Sequence, residues 1–238
     1  MKTAVFAALC ALISAVSGCS PSVKISVGSD LKTVCDFSVS LDAQLASRLG
    51  TLAADSSGAA ASPLFDLALI QRAFQTAGFA DVTATSLSAG ELVVRAEAVS
   101  PSAAFSAVPN AVRYTASSDG NGGQIEITVS KETIPEILAI MPDGISEYLD
   151  LLMAPLFTGE NLTETEYLAV IASVYGQQTA ELLKKSTLDI RFALPARADI
   201  RYYPDAAKVS VSGNNVSLFL PLASVLSAQT ELAFCVVW

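Results

Sequence analysis

The stretch VKISVGSDLKTVCDFSVSL, residues 23–41, decides the fold because it holds two alternating runs joined by a turn. From residue 35 to residue 41, apolar and polar side chains take turns, which is the period of a half-buried strand. The Gly-Ser-Asp segment at residues 28–30 supplies the turn. The stretch therefore predicts a β-hairpin of residues 23–27 and 33–41, with one face against a core.

Similar alternation predicts further strands along the chain. Residues 82–87 and 91–99 form a second predicted hairpin, and residues 112–116 and 124–129 form a third. The remaining predicted strands all follow residue 187, at 188–194, 200–203, 208–212, 216–220 and 231–238.

Helical periodicity separates these groups of strands. One helix is predicted from Ser62-Pro63 to Ala77, because serine is a good N-cap, proline suits the first helical position and glycine follows at the end. The capping box of Thr163 and Glu166 begins another. The predicted helices in chain order are 41–52, 62–77, 132–140, 145–156 and 164–185.

Consecutive hairpins and segregated helices predict an α+β fold, in which an antiparallel sheet built from hairpins is packed by a central helical block. This order argues against a doubly wound fold. Residues 19–238 are predicted to form a single domain after a signal peptide at residues 1–18, and the pattern also allows a subdomain boundary near 100–111.

The amino end carries the most specific motif. After Lys2, a short apolar run at residues 4–16 has the length and flanks of a secretory signal peptide. The sequence Val16-Ser17-Gly18-Cys19 that follows resembles a bacterial lipobox. This resemblance implies cleavage before Cys19 and its acylation by chains such as palmitate, which anchor the chain stably outside the cytoplasm. Ser20, where a retention signal would place aspartate, favours the outer membrane.

A second resemblance covers residues 148–160, YLDLLMAPLFTGE, together with Glu166-Tyr167 and residues 174–176. This block is similar to one in uncharacterised envelope lipoproteins of spirochaete type. The resemblance implies an envelope location and a protein class, and it implies no activity and no site residues.

Composition excludes several classes of function. The chain has a formal net charge of −9, and no cluster of Lys or Arg offsets it, so nucleic acid and anionic headgroups should repel its surface. It contains no histidine, which removes His-based catalytic triads and most zinc sites. We expect no cofactor and no bound metal. The lipid is the only membrane anchor predicted.

The cysteines form a simple set. Cys10 leaves with the signal peptide and Cys19 carries the lipid, so Cys35 and Cys235 remain as an even pair in an exported protein. A disulfide between them would tie the first strands to the last one. The alternative is that both are buried free thiols.

Carboxylates lie at helical spacing in three clusters that could hold a divalent cation or act as acid and base. The alternative is that they are solvated carboxylates near helix N-termini. The clusters are Glu132 and Glu136; Asp143, Glu147 and Asp150; and Glu160, Glu164 and Glu166.

Two apolar stripes run through the helical block. Their default interpretation is core packing, and the alternative is the lining of an apolar ligand cavity. The first comprises Tyr148, Leu149, Leu152, Met153, Leu156 and Phe157, and the second comprises Tyr167, Val170, Ile171, Val174 and Tyr175.

Together these observations predict a lipid-anchored envelope protein that is not an enzyme and that binds or scaffolds other envelope proteins. A carrier of lipid or another apolar ligand is the alternative. A hydrolase of envelope glycans that uses carboxylates such as Glu132, Glu136, Asp150 and Glu160 is a third hypothesis.

Overall fold

The structure is a computed structural model, and it describes residues 21–41, 43, 46, 65–88, 90–118, 122–138, 162–227 and 230–238. The strands whose bounds it gives are β1 (Ser22–Val27), β2 (Thr33–Ser40), β3 (Asp81–Ser88), β4 (Glu91–Ala98), β5 (Val112–Ala116), β6 (Gly123–Val129), β7 (Thr187–Ala193), β8 (Asp199–Tyr202), β9 (Lys208–Ser212), β10 (Asn215–Pro221) and β11 (Leu232–Val237). The helices are α1 (Leu67–Thr76), α2 (Pro101–Ala104), α3 (Ile134–Leu138), α4 (Glu164–Tyr175), α5 (Gln177–Lys185) and α6 (Leu222–Leu226).

Several sequence predictions fall outside these residues. They are the signal peptide at 1–18, the lipidation site Cys19, the helix at 145–156 and most of the helix at 41–52. The predicted domain organisation also stays a prediction.

Seven strands form the large sheet, in the order β3-β4-β2-β1-β7-β10-β9. Its neighbouring strands are antiparallel except for β1 and β7, which are parallel, with Ser22 opposite Asp189 and Ser26 opposite Ala193. The sheet is therefore mixed, and the prediction of a purely antiparallel sheet was wrong. The hairpins predicted over β1–β2 and β3–β4 are confirmed.

Four strands form the small sheet, in the order β5-β6-β11-β8, with every pair antiparallel. The predicted hairpin of β5 and β6 is confirmed, and β11 lies beside β6 although more than a hundred residues separate them in the chain. The register between β11 and β8 shifts between Cys235 and Val236, which is a β-bulge.

The core lies between the inner faces of the two sheets. Ile25 and Leu218 on the large sheet and Ile125 and Phe234 on the small sheet are all buried in one hydrophobic cluster. The rings of Phe192 and Phe234 meet across the sheets with centroids 6.3 Å apart. This contact joins β7 to β11, so the two sheets share one core.

Helix α1 covers the inner face of the large sheet near β3. Asp66 caps it by accepting hydrogen bonds from the backbone N–H groups of Ala68 and Leu69, each at 3.0 Å. Phe74 on its buried side contacts Phe37 of β2, with ring centroids 5.0 Å apart. The helix ends at Thr76, one residue before the predicted Ala77. Gly78 follows as predicted, with a φ of +100° that glycine adopts without strain.

The helical segment predicted over 164–185 is two helices. Gly176 has φ 92° and ψ 153°, so it ends α4 and begins α5. These helices pack against each other and against α6, while α1 packs on β3. The described helices therefore flank the sheets, and the prediction of a central helical block was wrong. The mixed α+β class itself is confirmed.

Candidate functional site

The outer face of the large sheet carries alternate side chains of every strand. Opposite to the buried Ile25, Cys35 and Phe192, most side chains are charged or carry hydroxyl groups. The same face also includes the apolar residues Val34, Val93, Ala193 and Phe219. We name this surface the polar face, and it is defined by Ser22, Lys24, Asp36, Ser38, Arg95, Glu97, Asp189, Arg191, Ser210 and Ser217.

One row of the polar face crosses six strands. Arg95 lies opposite Asp36, Asp36 opposite Lys24, and Lys24 opposite Arg191. The row continues to Ser217 of β10 and then to Ser210 of β9. Residues far apart in the chain thus form one row, which is charged from β4 to β7 and carries hydroxyl groups on β10 and β9.

Ion pairs hold one half of the polar face in place. Arg95 Nη1 lies 3.0 Å from Asp36 Oδ1, and its Nη2 lies 3.5 Å from Glu97 Oε1. Lys32 Nζ lies 2.5 Å from Glu97 Oε2, and this hydrogen bond, together with the positive charge, lowers the pKa of the Glu97 carboxyl. These pairs are exposed, so they order the side chains more than they stabilise the fold.

Asp189 differs from the other carboxylates of this face. Its Oδ2 pairs with Arg191, whereas its Oδ1 is buried and has no hydrogen-bond donor among the described residues. A buried acceptor without a donor costs free energy. Because this oxygen is buried, it belongs to the interior of the sheet surface and is not open to a partner.

On the outer face of the small sheet, hydrogen-bonded side chains cover the thiol of Cys235. Tyr202 Oη donates a hydrogen bond to Glu126 Oε1, and Arg201 Nη1 donates to Gln124 Oε1 at 2.7 Å. Cys235, which lies opposite both Glu126 and Tyr202, is 0% exposed. Donation to the Glu126 carboxylate stabilises the protonated phenol and raises the pKa of Tyr202 to about 12.

Cys35 and Cys235 are both buried free thiols, which is the second of the two alternatives that the sequence left open. Cys35 lies on the inner face of β2, whereas Cys235 lies on the outer face of β11 in the other sheet. Burial raises the pKa of Cys35 to about 12, and burial also raises the pKa of Cys235. Neither thiol is poised as a nucleophile, since the thiolate is the reactive form.

The carboxylates of the first acidic cluster stabilise local structure. Glu132 accepts a hydrogen bond from Ser130 Oγ at 2.7 Å, which lowers the pKa of its carboxyl. Glu136 Oε2 accepts from the backbone N–H groups of Asn110 and Ala111 at 3.1 and 2.9 Å. It thereby fixes the loop before β5 to α3.

The third cluster has similar roles at α4. Glu164 accepts from Ser224 Oγ at 2.7 Å and so links α4 to α6. Glu166 accepts from the backbone N–H of Thr163 at 2.8 Å, and Thr163 Oγ1 accepts in turn from the Glu166 N–H, which confirms the predicted capping box. The hydrogen bonds from Thr163 lower the pKa of Glu166.

The other predicted carboxylates, Asp143, Glu147, Asp150 and Glu160, lie outside the described residues. Within the described part of the chain, no group of three or more His, Cys, Asp or Glu side chains is placed to hold a metal ion.

Of the apolar stripes, the first lies outside the described residues and the second divides between core and surface. Tyr167 and Ile171 are fully buried, whereas Val174 is 63% exposed. Burial also raises the pKa of the Tyr167 phenol. No helix within the described ranges has the length and apolar character needed to cross a bilayer.

Sequence reasoning missed the polar face as a surface. The signal was present as polar residues at alternate positions of β1, β2, β4, β7 and β10. What no local pattern supplies is the order of the strands, which brings these residues into one plane.

Comparison with known proteins adds one structural likeness. No protein-family model matches the sequence, and the search of curated proteins finds no match. Among solved structures, the folded domain of Mycobacterium tuberculosis LppM, determined by NMR, aligns with a TM-score of 0.39 and 9% sequence identity, over 92% of this chain and 90% of that one. We base no argument on a likeness of this degree. The resemblance to spirochaete-type lipoproteins stays a prediction.

Proposed function

We propose that this protein is a lipoprotein of the bacterial cell envelope, held by acyl chains on Cys19, whose folded body binds other envelope proteins without catalysing a reaction. The lipobox supports the envelope location and favours the outer membrane. The polar face supports the binding role.

The polar face has the size and chemistry of a protein contact. The six strands that carry the polar face, at about 4.8 Å spacing and each about 20 Å long, give a surface of roughly 600 Å². This is close to the ~800 Å² that each partner contributes to a standard interface. Its centre is a row of charges in which Lys24 and Arg191 are exposed. Such a surface suits a partner with complementary charges and hydrogen-bond donors.

The roles of the described carboxylates support a protein that does not catalyse hydrolysis. A general acid or base needs a carboxyl group that faces substrate with a pKa near the working pH. Glu132 and Glu166 instead have lowered pKa values and accept hydrogen bonds from their own chain. A hydrolytic activity on envelope glycans that disappears in the folded Glu132→Gln or Glu136→Gln variant would overturn this part of the proposal.

Cross-linking in intact envelopes tests the binding role. A photoreactive residue replaces Lys24 at the centre of the polar face, and a matched control replaces Arg72, an exposed cation on α1 at the opposite side of the sheet. We expect a discrete cross-linked species at position 24 that is absent at position 72 and weakened by Arg191→Glu. No species at position 24, or the same species at both positions, contradicts the proposal.

Organic extraction of the native protein followed by mass spectrometry tests the alternative of a carrier. The proposal predicts that the extract contains no stoichiometric lipid, because the acyl chains on Cys19 are covalent and stay with the protein. A stoichiometric non-covalent lipid would favour the carrier and would place the ligand outside the polar face.

A further inference from the structure

We propose that the end of the large sheet at which β1 begins rests on the bilayer, and that Leu87 at the tip of the β3–β4 hairpin inserts between the lipid headgroups. This inference rests on the proposed acylation of Cys19. It adds an orientation and a second membrane contact.

The tether between the lipid and the sheet is short. Only Ser20 and Pro21 lie between Cys19 and Ser22, the first residue of β1, so the tether is three residue steps long. A fully extended chain advances at most about 3.6 Å per residue, so Ser22 lies within about 11 Å of the acylated residue. The anchor therefore brings one end of the sheet, and not a distant loop, to the membrane surface.

The strand registers place Leu87 at this same end. Ser22 lies in a cross-strand row with Ser38, Val93 and Thr85, three strand spacings or about 14 Å away. Leu87 is two residues beyond Thr85 in the direction from which the chain enters β1. The register shifts between Thr85 and Ser88, so this step adds at most about 7 Å. Leu87 therefore lies beyond the row of Ser22 on the same side as Cys19, and the tether allows Cys19 to lie up to about 11 Å beyond that row.

Leu87 is unusual in its exposure. Its side chain is 79% exposed, the highest value among the large apolar side chains of the described residues. The hairpin around it is held by a hydrogen bond from Ser86 Oγ to the Ser88 carbonyl at 2.6 Å and by one from the Leu41 N–H to the Gly90 carbonyl at 2.8 Å. An apolar side chain on a braced tip inserts into an interface without a large loss of conformational entropy.

Two lysines lie at the same end on the other side of β1. Lys184 and Lys185 are exposed in the last turn of α5, just before Thr187 begins β7, the strand parallel to β1. Cations close to a bilayer are attracted by anionic headgroups. The chain as a whole is acidic, so these two lysines offset part of the repulsion from an anionic membrane at this end.

The chain supplies a matched control at the opposite end. Val99 is 77% exposed and follows Ala98, which pairs with Thr33 beside the end of β1. The strand rise places it roughly 25 Å farther from the tether than Leu87. The two positions belong to one hairpin and differ chiefly in their distance from Cys19.

The test uses the full-length lipidated protein in vesicles of phosphatidylethanolamine and phosphatidylglycerol. Leu87→Cys and Val99→Cys are each labelled with an environment-sensitive fluorophore, while Cys35 and Cys235 are 1% and 0% exposed and do not compete for the label. Quenchers are placed on the lipid chains. We expect a blue-shifted emission and several-fold stronger quenching at position 87 than at position 99.

Each of the other possible results contradicts one part of the proposal. Equal and weak quenching at both positions in membrane-bound protein overturns the contact of Leu87, while the proposed anchoring stands. Equal and strong quenching overturns the end-on orientation, and a blue shift at position 87 without quenching assigns Leu87 to a protein contact. Protein that sediments with vesicles no better than the Cys19→Ser variant made without residues 1–18 instead overturns the proposed function. If Leu87→Cys fails to fold, a label at the exposed Ser88 repeats the measurement.

Discussion

The two sheets carry their polar side chains in different ways. On the large sheet the outer face is open, and Lys24 and Arg191 extend from it into solvent. On the small sheet the side chains of Glu126 and Tyr202 bond to each other above Cys235, so that the thiol is fully buried. An open face offers its groups to a partner, whereas a closed face uses its groups to protect the fold. This difference is the reason why we propose the large sheet, and not the small one, as the binding surface.

The strongest test of this comparison uses the two thiols, one in each sheet. We expect neither Cys35 nor Cys235 to react with a thiol reagent in the native protein, and both to react after denaturation without a reductant. Reaction in the native state should be slower by on the order of 10³-fold or more, because it requires opening of the core. The Cys19→Ser variant without its signal peptide leaves only these two thiols. A denatured protein whose thiols react only after reduction would show instead that they form a disulfide.

The next test concerns the contact that joins the sheets. Phe234→Ala removes the ring that meets Phe192, and we expect it to lower the free energy of unfolding by about 3–5 kcal/mol. Val211→Ala, at an exposed position of β9, is the control and should change it by at most about 0.5 kcal/mol. Chemical denaturation measures both values. Equal effects would mean that the two sheets do not share a core.

A smaller effect is expected at the closed face, which is the outer face of the small sheet. There the stability of the fold should depend on pH through Tyr202. The pKa of Tyr202 lies at about 12, above the ordinary value of about 10, because its hydroxyl donates to Glu126. A raised pKa in the folded state stabilises the protein fully below pH ~10, and this contribution is lost as the pH rises toward ~12. An ultraviolet titration of tyrosinate measures this pKa, and the transition that disappears in Tyr202→Phe belongs to Tyr202. Glu126→Gln should move the midpoint of that transition to lower pH. The control Glu231→Gln removes a charge without the hydrogen bond and should lower it less.

The smallest effect is expected on the open face. Asp36→Asn breaks the exposed ion pair with Arg95, and we expect a loss of about 0–1 kcal/mol in the free energy of unfolding. The same variant should alter the cross-linking yield at position 24, since Asp36 lies directly opposite Lys24. A large loss of stability with no change in cross-linking would assign a structural role to the polar face.

Local patterns predicted much of this fold. The alternation in β1, β2, β6 and β10 indicated which side chains are buried, and the capping box at Thr163 marked the start of α4. These features depend on neighbours in the chain, and so the sequence contains them directly.

The features that the sequence did not reveal depend on distant partners. The parallel pairing of β1 with β7 joins Ser22 to Asp189, and no local period encodes it. The break at Gly176 was missed because the apolar period continues across it into α5. The same limit applies to the polar face, whose residues come from both ends of the chain.

The central claim is that acyl chains on Cys19 hold this protein at the end of the sheet where β1 begins. Mass spectrometry of the amino-terminal peptide of the protein purified from envelopes tests it most directly. We predict a peptide that begins at Cys19 and carries the mass of its acyl chains, and we predict that Cys19→Ser accumulates as an uncleaved precursor. A mature chain that begins at another residue, or one in which Cys19 is unmodified, would contradict the claim.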